Sequence, residues 1–214
     1  MKVGILGSGM VGQSLARGFA ALGYDVKVGT RNQSKLEKWL AELSSPNVTI
    51  GSFADAASSG EVLVLATHGV NTKEAIEIAG KEKFRGKIVI DATNPLDFSK
   101  GVPPRFAAEP GNSLGEQIQR FIPEAKLVKA FNTVNALTMI NAHLEEGRPD
   151  LFIAGDDDAA KKWVAELAQK WGWNSCVDIG GIAESFWLET FAMLWIVYGF
   201  KNNHWTHAFK LLKK

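Results

Sequence analysis

The stretch Gly7 to Gly12, "GSGMVG", constrains this chain more than any other. Its glycines at 7, 9 and 12 follow the apolar run "KVGIL" and open the segment "MVGQSLARGFAALG". The first run is continuously apolar, as parallel strands buried on both faces are. The second carries Val11, Leu15, Phe19 and Leu22 at helical spacing and ends at Gly23, a residue type that terminates helices. A glycine triplet of this spacing is weak evidence by itself. Between a strand and a helix it is the arrangement that a dinucleotide pyrophosphate requires. Gly7 permits the tight turn, Gly9 lets a pyrophosphate approach the backbone, and Gly12 lets helix and strand pack closely. The start of the helix adds free N–H groups and a partial positive charge.

The end of the second strand, "VKVGTRNQSK", then discriminates between dinucleotides. Arg31 lies 19 residues after Gly12 (31 − 12), close to the spacing of about 20 at which a ribose-binding acid is expected. No acid occurs there before Glu37. An acid would repel a 2′-phosphate, whereas Arg31 offers a planar fork of donors and Lys35 a second cation. Thr30 and Ser34 add hydroxyl donors. The residue types therefore point to NADP(H).

Elsewhere, short apolar runs alternate with helical stripes, the pattern of a mostly parallel sheet. Strands are expected at "EVLVLAT", "KIVIDAT", "KLVKAFN", "DLFIAGDD" and "SCVDIGG". Helices are expected at "SKLEKWLAEL", around Thr72–Gly80, from Ser113, over "ALTMINAHLEEG", over "AAKKWVAELAQKWG" and from about Ala183 to Phe200. The Ser113–Glu116 pair fits a capping box. "NPLDFSKGVPPRFAAEPGN" reads as a long loop, a cleft wall or lid. The expected architecture is α/β, a Rossmann-type doubly wound sheet in one domain over residues 1–214, closed by a C-terminal helical extension from about residue 183.

Composition bounds the function class. The chain is 46% hydrophobic and 22% charged, ordinary for a folded soluble protein. A net charge of +1 gives no basic field to attract nucleic acid or an anionic membrane. Cys176, the single cysteine, allows neither an internal disulfide nor a Cys-based metal cluster. The strand beginning at residue 2 argues against a leader, and "FWLETFAMLWIVYGF" is broken by Glu189 and too short for a span. A cytoplasmic location is the expectation. That final helix is apolar around much of its surface, and Trp187, Trp195 and Trp205 all follow Gly181. A homodimer, or an acceptor ring laid on this face, is therefore expected to cover it.

Four segments together carry a resemblance: "GILGSGMVGQSLARGFAALGYDVKVGTRN", "KAFNTVNA", "IAGDDDAAKKWV" and the "GGIAES" entrance to the final helix. They span nearly the whole chain and resemble the NADP oxidoreductases that depend on 8-hydroxy-5-deazaflavin (coenzyme F420). The same pattern is similar to the NADPH-binding cytosolic domain of six-transmembrane metalloreductases, which pass electrons to flavin and haem. The resemblance implies hydride transfer between NADPH and a deazaflavin or flavin-type small-molecule acceptor. It implies that Ser8, Gly9, Met10, Val11, Thr30, Arg31 and Lys35 face the adenosine and phosphates. Thr67, His68, Asn94, Asn132 and Val134 would face the nicotinamide, and Ala136 would also line the site. The residue matching Asn132 is often His in the deazaflavin enzymes and usually Asn in the metalloreductase domains.

Other clusters have plainer readings. His68 is the nearest candidate proton donor, but a lone histidine at a strand end more often packs or touches a cofactor. His143, His204 and His207 read as solvent-facing. "HWTH" has i,i+3 spacing but no third ligand, so no metal site is expected. Asp156–Asp158 precede a helix, where acids cap and complement the dipole. An imine or keto reductase would need a larger helical domain than the few residues after "DIGG" supply. An NADPH-sensing protein without turnover is the non-enzymatic alternative.

Overall fold

The computed structural model describes residues 1–213. The elements run β1 (Lys2–Leu6), α1 (Met10–Ala21), β2 (Asp25–Gly29), α2 (Ser34–Leu43), β3 (Val48–Gly51), α3 (Phe53–Ser59), β4 (Val62–Leu65), α4 (Thr72–Ala79) and β5 (Ile88–Asp91). They continue β6 (Leu96–Asp97), β7 (Arg105–Phe106), α5 (Leu114–Phe121), β8 (Lys126–Lys129), α6 (Ala136–Ile140), β9 (Asp150–Gly155), α7 (Asp158–Lys170), β10 (Ser175–Asp178) and α8 (Ser185–Asn202). Eight strands form one sheet in the order β10-β9-β8-β5-β4-β1-β2-β3. All neighbours are parallel except β8 and β9, where Val128 faces Gly155 and Lys129 faces Ala154 in antiparallel register. The chain winds outward from β1 in one direction and from β4 in the other. A crevice therefore opens at the carboxyl ends of β1 and β4, where ligands bind in open α/β sheets.

The alternation of side chains along each strand builds a core on both faces. Val3, Ile5, Val62 and Val64 point into one layer with Leu15 and Phe19 of α1 and Val164 and Leu167 of α7. Leu6, Leu63 and Leu65 point into the other with Phe53, Ile76, Leu114 and Ile118. Phe19 anchors the first layer, fully buried, with the rings of Trp171 and Tyr24 edge-on at 5.0 and 5.6 Å. Truncating such a residue costs about 3–5 kcal/mol.

Three local features depart from the sequence expectations. Residues 48–59 form β3 and α3, two elements too short to show a periodic pattern in the sequence. Inside the expected loop, β6 and β7 pair antiparallel. The helix expected over "ALTMINAHLEEG" ends at Ile140, because Ala142 donates its N–H to the Trp171 carbonyl in place of continuing the helix. The tail is also less free than expected. His207 stacks on Trp195 at 4.7 Å, and Trp195 Nε1 donates to the His207 carbonyl at 2.8 Å.

Candidate active site

The loop between β1 and α1 shows why Gly7 and Gly12 must be glycine. Gly7 has φ +131°, and a Cβ on it would strike the Ala66 carbonyl on β4's end. A Cβ on Gly12 would strike the Gly7 carbonyl, so helix and strand can approach only without one. Gly9 is different: a Cβ there would meet no protein atom within 4 Å. Its bareness faces open space, over the start of α1. That helix has no side-chain cap and no acid in its first turn, and its first backbone bond runs from Gln13 N–H to the Gly9 carbonyl. The N–H groups before Gln13 have no intrahelical acceptor and make an anion-binding end.

The glycine loop is tied to the end of β2. Ser8 Oγ and Thr30 Oγ1 are 3.0 Å apart, and Asn32 N–H donates to Thr30 Oγ1 at 3.2 Å. Beyond Thr30, the Arg31 and Lys35 side chains are exposed and have no ion-pair partner among the described residues. A cleft of about 540 Å³ lies between these parts and the end of β4. Of the sequence-expected residues, Gly7, Ser8, Gly9, Met10, Val11, Thr30, Arg31, Lys35, Thr67 and His68 line it.

The others stand outside that lining. Gly12 lies under the loop, and Ser34 donates its hydroxyl to Asn32 Oδ1 at 2.7 Å on the surface. Asn94 and Asn132 sit past the ends of β5 and β8 and bond to each other. Asn94 Nδ2 donates to the Asn132 carbonyl at 2.8 Å, and Asn132 Nδ2 donates to Asn94 Oδ1 at 2.9 Å. Val134 is buried, and the Ala136 carbonyl accepts from Ser14 Oγ. Gly69 links the two regions, since a Cβ there would strike the Asn94 carbonyl. His68 is exposed with its ring edge-on to Phe98 at 6.3 Å, and no carboxylate among the described residues bonds to it.

Sequence reading missed Phe53, Asn71, Glu74 and Ile78, all in the cleft wall. Phe53 opens α3, and the Ser52–Asp55 capping box just before it was the available signal. Glu74 is the acid of this wall, but it comes from α4 and not from the end of β2.

Comparison with known proteins places the chain in a family. Residues 2–95 match the family model for NADP oxidoreductase, coenzyme F420-dependent. The F420-dependent NADP reductase of Methanothermobacter marburgensis is 31% identical over 215 aligned positions, covering 94% of each chain. The crystal structure of a candidate F420-dependent NADP-reductase from Arthrobacter sp. FB24 superposes with a TM-score of 0.93 at 38% identity, covering both chains completely. Metalloreductase STEAP3 of Rattus norvegicus is 30% identical over 86% of this chain, which spans 35% of the length of that relative. No helix among the described residues is long and apolar enough to cross a membrane. By its fold, its glycine loop and these relatives, the chain belongs to the coenzyme F420-dependent NADP oxidoreductase family and is an NADP-dependent oxidoreductase.

Proposed function

We propose that this oxidoreductase transfers hydride between NADPH and a deazaflavin of the coenzyme F420 type. The observation that carries the dinucleotide assignment is the pair Arg31 and Lys35, without carboxylate partners among the described residues, at a β2 end that bears no acid. Their charges fit a 2′-phosphate, and the open space over Gly9 fits a pyrophosphate against the α1 N-terminus. Phe53 and Ile78 supply apolar wall for an adenine ring. NADPH held here would supply hydride, two electrons and a hydrogen nucleus together, for a redox acceptor. The residues of the chain bind and orient. Thr67, hydrogen-bonded to Thr72 at 2.8 Å, and the Asn94–Asn132 pair give the far end of the crevice fixed polar groups. Direct transfer needs no side-chain proton donor, so positioning dominates, and an exposed His68 without a carboxylate partner agrees with that.

A second reading is a flavin acceptor, favoured by Asn132 and by the identity with the rat metalloreductase. We also propose that a second copy covers α8, whose Trp187, Leu194, Val197 and Tyr198 are all about half exposed or more. The test of the leading reading is to mix the protein, NADPH and oxidised deazaflavin and follow both absorbances. Matched loss of the two supports it. Turnover with FMN or FAD alone would move the assignment to the flavin reading. Tight NADPH binding without turnover on any acceptor would leave a sensor.

A further inference from the structure

Three features outside the lining of the 540 Å³ cleft meet just past β5 and β8. The first is ionic. Lys129 on β8 is wholly buried, with Nζ 2.7 Å from Asp91 Oδ2 on β5 and 2.9 Å from Glu189 Oε1 on α8. Its third hydrogen bond goes to the Thr93 carbonyl at 2.9 Å. Asp91 Oδ1 accepts from Thr93 N–H at 2.9 Å and Thr93 Oγ1 at 2.6 Å. The two Glu189 oxygens accept from the first N–H groups of α5, those of Leu114 and Gly115, at 3.0 and 2.9 Å. Two carboxylates against one ammonium leave an excess negative charge, and the α5 N-terminus faces it.

The second feature is conformational. Phe131, fully buried, has φ +62°, a left-handed backbone that a bulky residue adopts only when its surroundings impose it. The third is Asn132 itself. Its Nδ2 donates to Asn94 Oδ1 and to the Leu188 carbonyl at 3.0 Å, while its buried Oδ1 has no partner among the described residues. Asn132 is thus held through its Nδ2 and its carbonyl, with a buried Oδ1 left unpartnered.

These features share neighbours along the chain. Thr93, gripped by Asp91 and Lys129, precedes Asn94. Lys129 and the strained Phe131 lead into Asn132. Glu189 follows Leu188, whose carbonyl holds Asn132. An apolar substitute for a buried ion cluster is often as stable or more so, so stability alone does not account for these charges.

We propose that Lys129, Asp91 and Glu189 form a positioning unit that holds the Asn94–Asn132 carboxamide pair in register at the far end of the crevice and ties that register to helix α8. The three charged residues touch neither substrate nor cofactor in this assignment; they act through the two asparagines. The consequence for rate rests on the hydride-transfer reading above, whereas the geometric claim does not.

The experiment compares Glu189→Gln, Thr93→Val and Thr93→Ser with the wild type. The Val variant removes the hydroxyl donor to Asp91 at nearly constant shape, and Ser restores it. Steady-state kcat with deazaflavin should fall at least about tenfold in Glu189→Gln and Thr93→Val, since small displacements at a reacting centre cost up to about 10²-fold. NADPH Kd should stay within about twofold in both, and Thr93→Ser should recover most of kcat. Side-chain amide NMR gives the direct readout: the Asn132 Nδ2 protons should exchange slowly in the wild type and faster in Glu189→Gln and Thr93→Val. Unchanged amide exchange overturns the proposal, as does a parallel loss of kcat, Kd and melting temperature that Thr93→Ser does not reverse. If the wild type transfers no hydride to deazaflavin, the functional reading fails alone, and the amide signals still decide the positioning claim.

Discussion

Lys129 Nζ lies 2.9 Å from Glu189 Oε1, and neither side chain has any exposed surface. Burial pushes the Lys129 ammonium towards a low pKa, but Asp91 and Glu189 override it and hold the group above the ordinary lysine value of 10.5. A raised pKa in the folded state stabilises the fold at every pH below the unfolded value and loses that contribution as pH rises past the folded value. Denaturant unfolding should therefore show this contribution constant through neutral pH and declining only above about pH 10.5. Glu189→Ala, which removes one partner, should destabilise by about 3–5 kcal/mol at pH 7 in urea titrations.

Arg31→Asp should weaken NADPH binding by about 10- to 100-fold, the range of one charge-assisted hydrogen bond to an anion. NADH binding should hold or improve, because an acid can take the ribose hydroxyls. Fluorescence titration of both dinucleotides checks it, and an unchanged affinity ratio would remove Arg31 from the assignment.

Gly9→Ala and Gly12→Ala separate ligand space from packing space. Gly9 has φ −76° and open space at its Cβ position, so its alanine variant should melt within about 1–2 °C of wild type yet lose NADPH affinity at least about tenfold. At Gly12 the new methyl strikes the Gly7 carbonyl, so calorimetry should show a clear loss of melting temperature before any ligand is added.

Burial, with Asp178 adding to it, pushes the Cys176 thiol up to about 12. At pH 8 the thiolate fraction is then about 10⁻⁴, and the thiolate is the reactive form. A disulfide reagent should label the native protein at least about 100-fold more slowly than the urea-unfolded chain. Equal rates would show that the β10 edge opens freely.

The nucleotide half of the fold was legible because its signals are local. Strand, glycine spacing and helix fall within Lys2–Ala21, and the Arg31 position follows at a fixed distance. What escaped was either short or distributed. The β3–α3 unit consists of 4 and 7 residues in a Ser-rich stretch, too short for a periodic pattern. Asp91, Lys129 and Glu189 each look like an isolated charge in an apolar run, and only the β5–β8 pairing and the packing of α8 bring them together. Helix α6 stops early through a tertiary bond to Trp171, and His207 is drawn onto Trp195 by a tail that folds back over α8. Local propensity does not encode either contact.

The proposed second copy on α8 has a simple check. Light scattering at micromolar concentration should give twice the 23.3 kDa chain mass, and Trp187→Glu should return it to one chain. A single-chain mass in the wild type would leave the α8 face uncovered.

Direct hydride transfer fixes where the hydrogen goes. A single-turnover reaction of the protein with NADPH deuterated at nicotinamide C4, on the transferred face, and oxidised deazaflavin in ordinary water measures it. Deuterium recovered one-for-one in the reduced deazaflavin, with NADP⁺ as the other product, is the result predicted. Deuterium released to solvent, or retained while the deazaflavin stays oxidised, would contradict direct hydride transfer across this crevice.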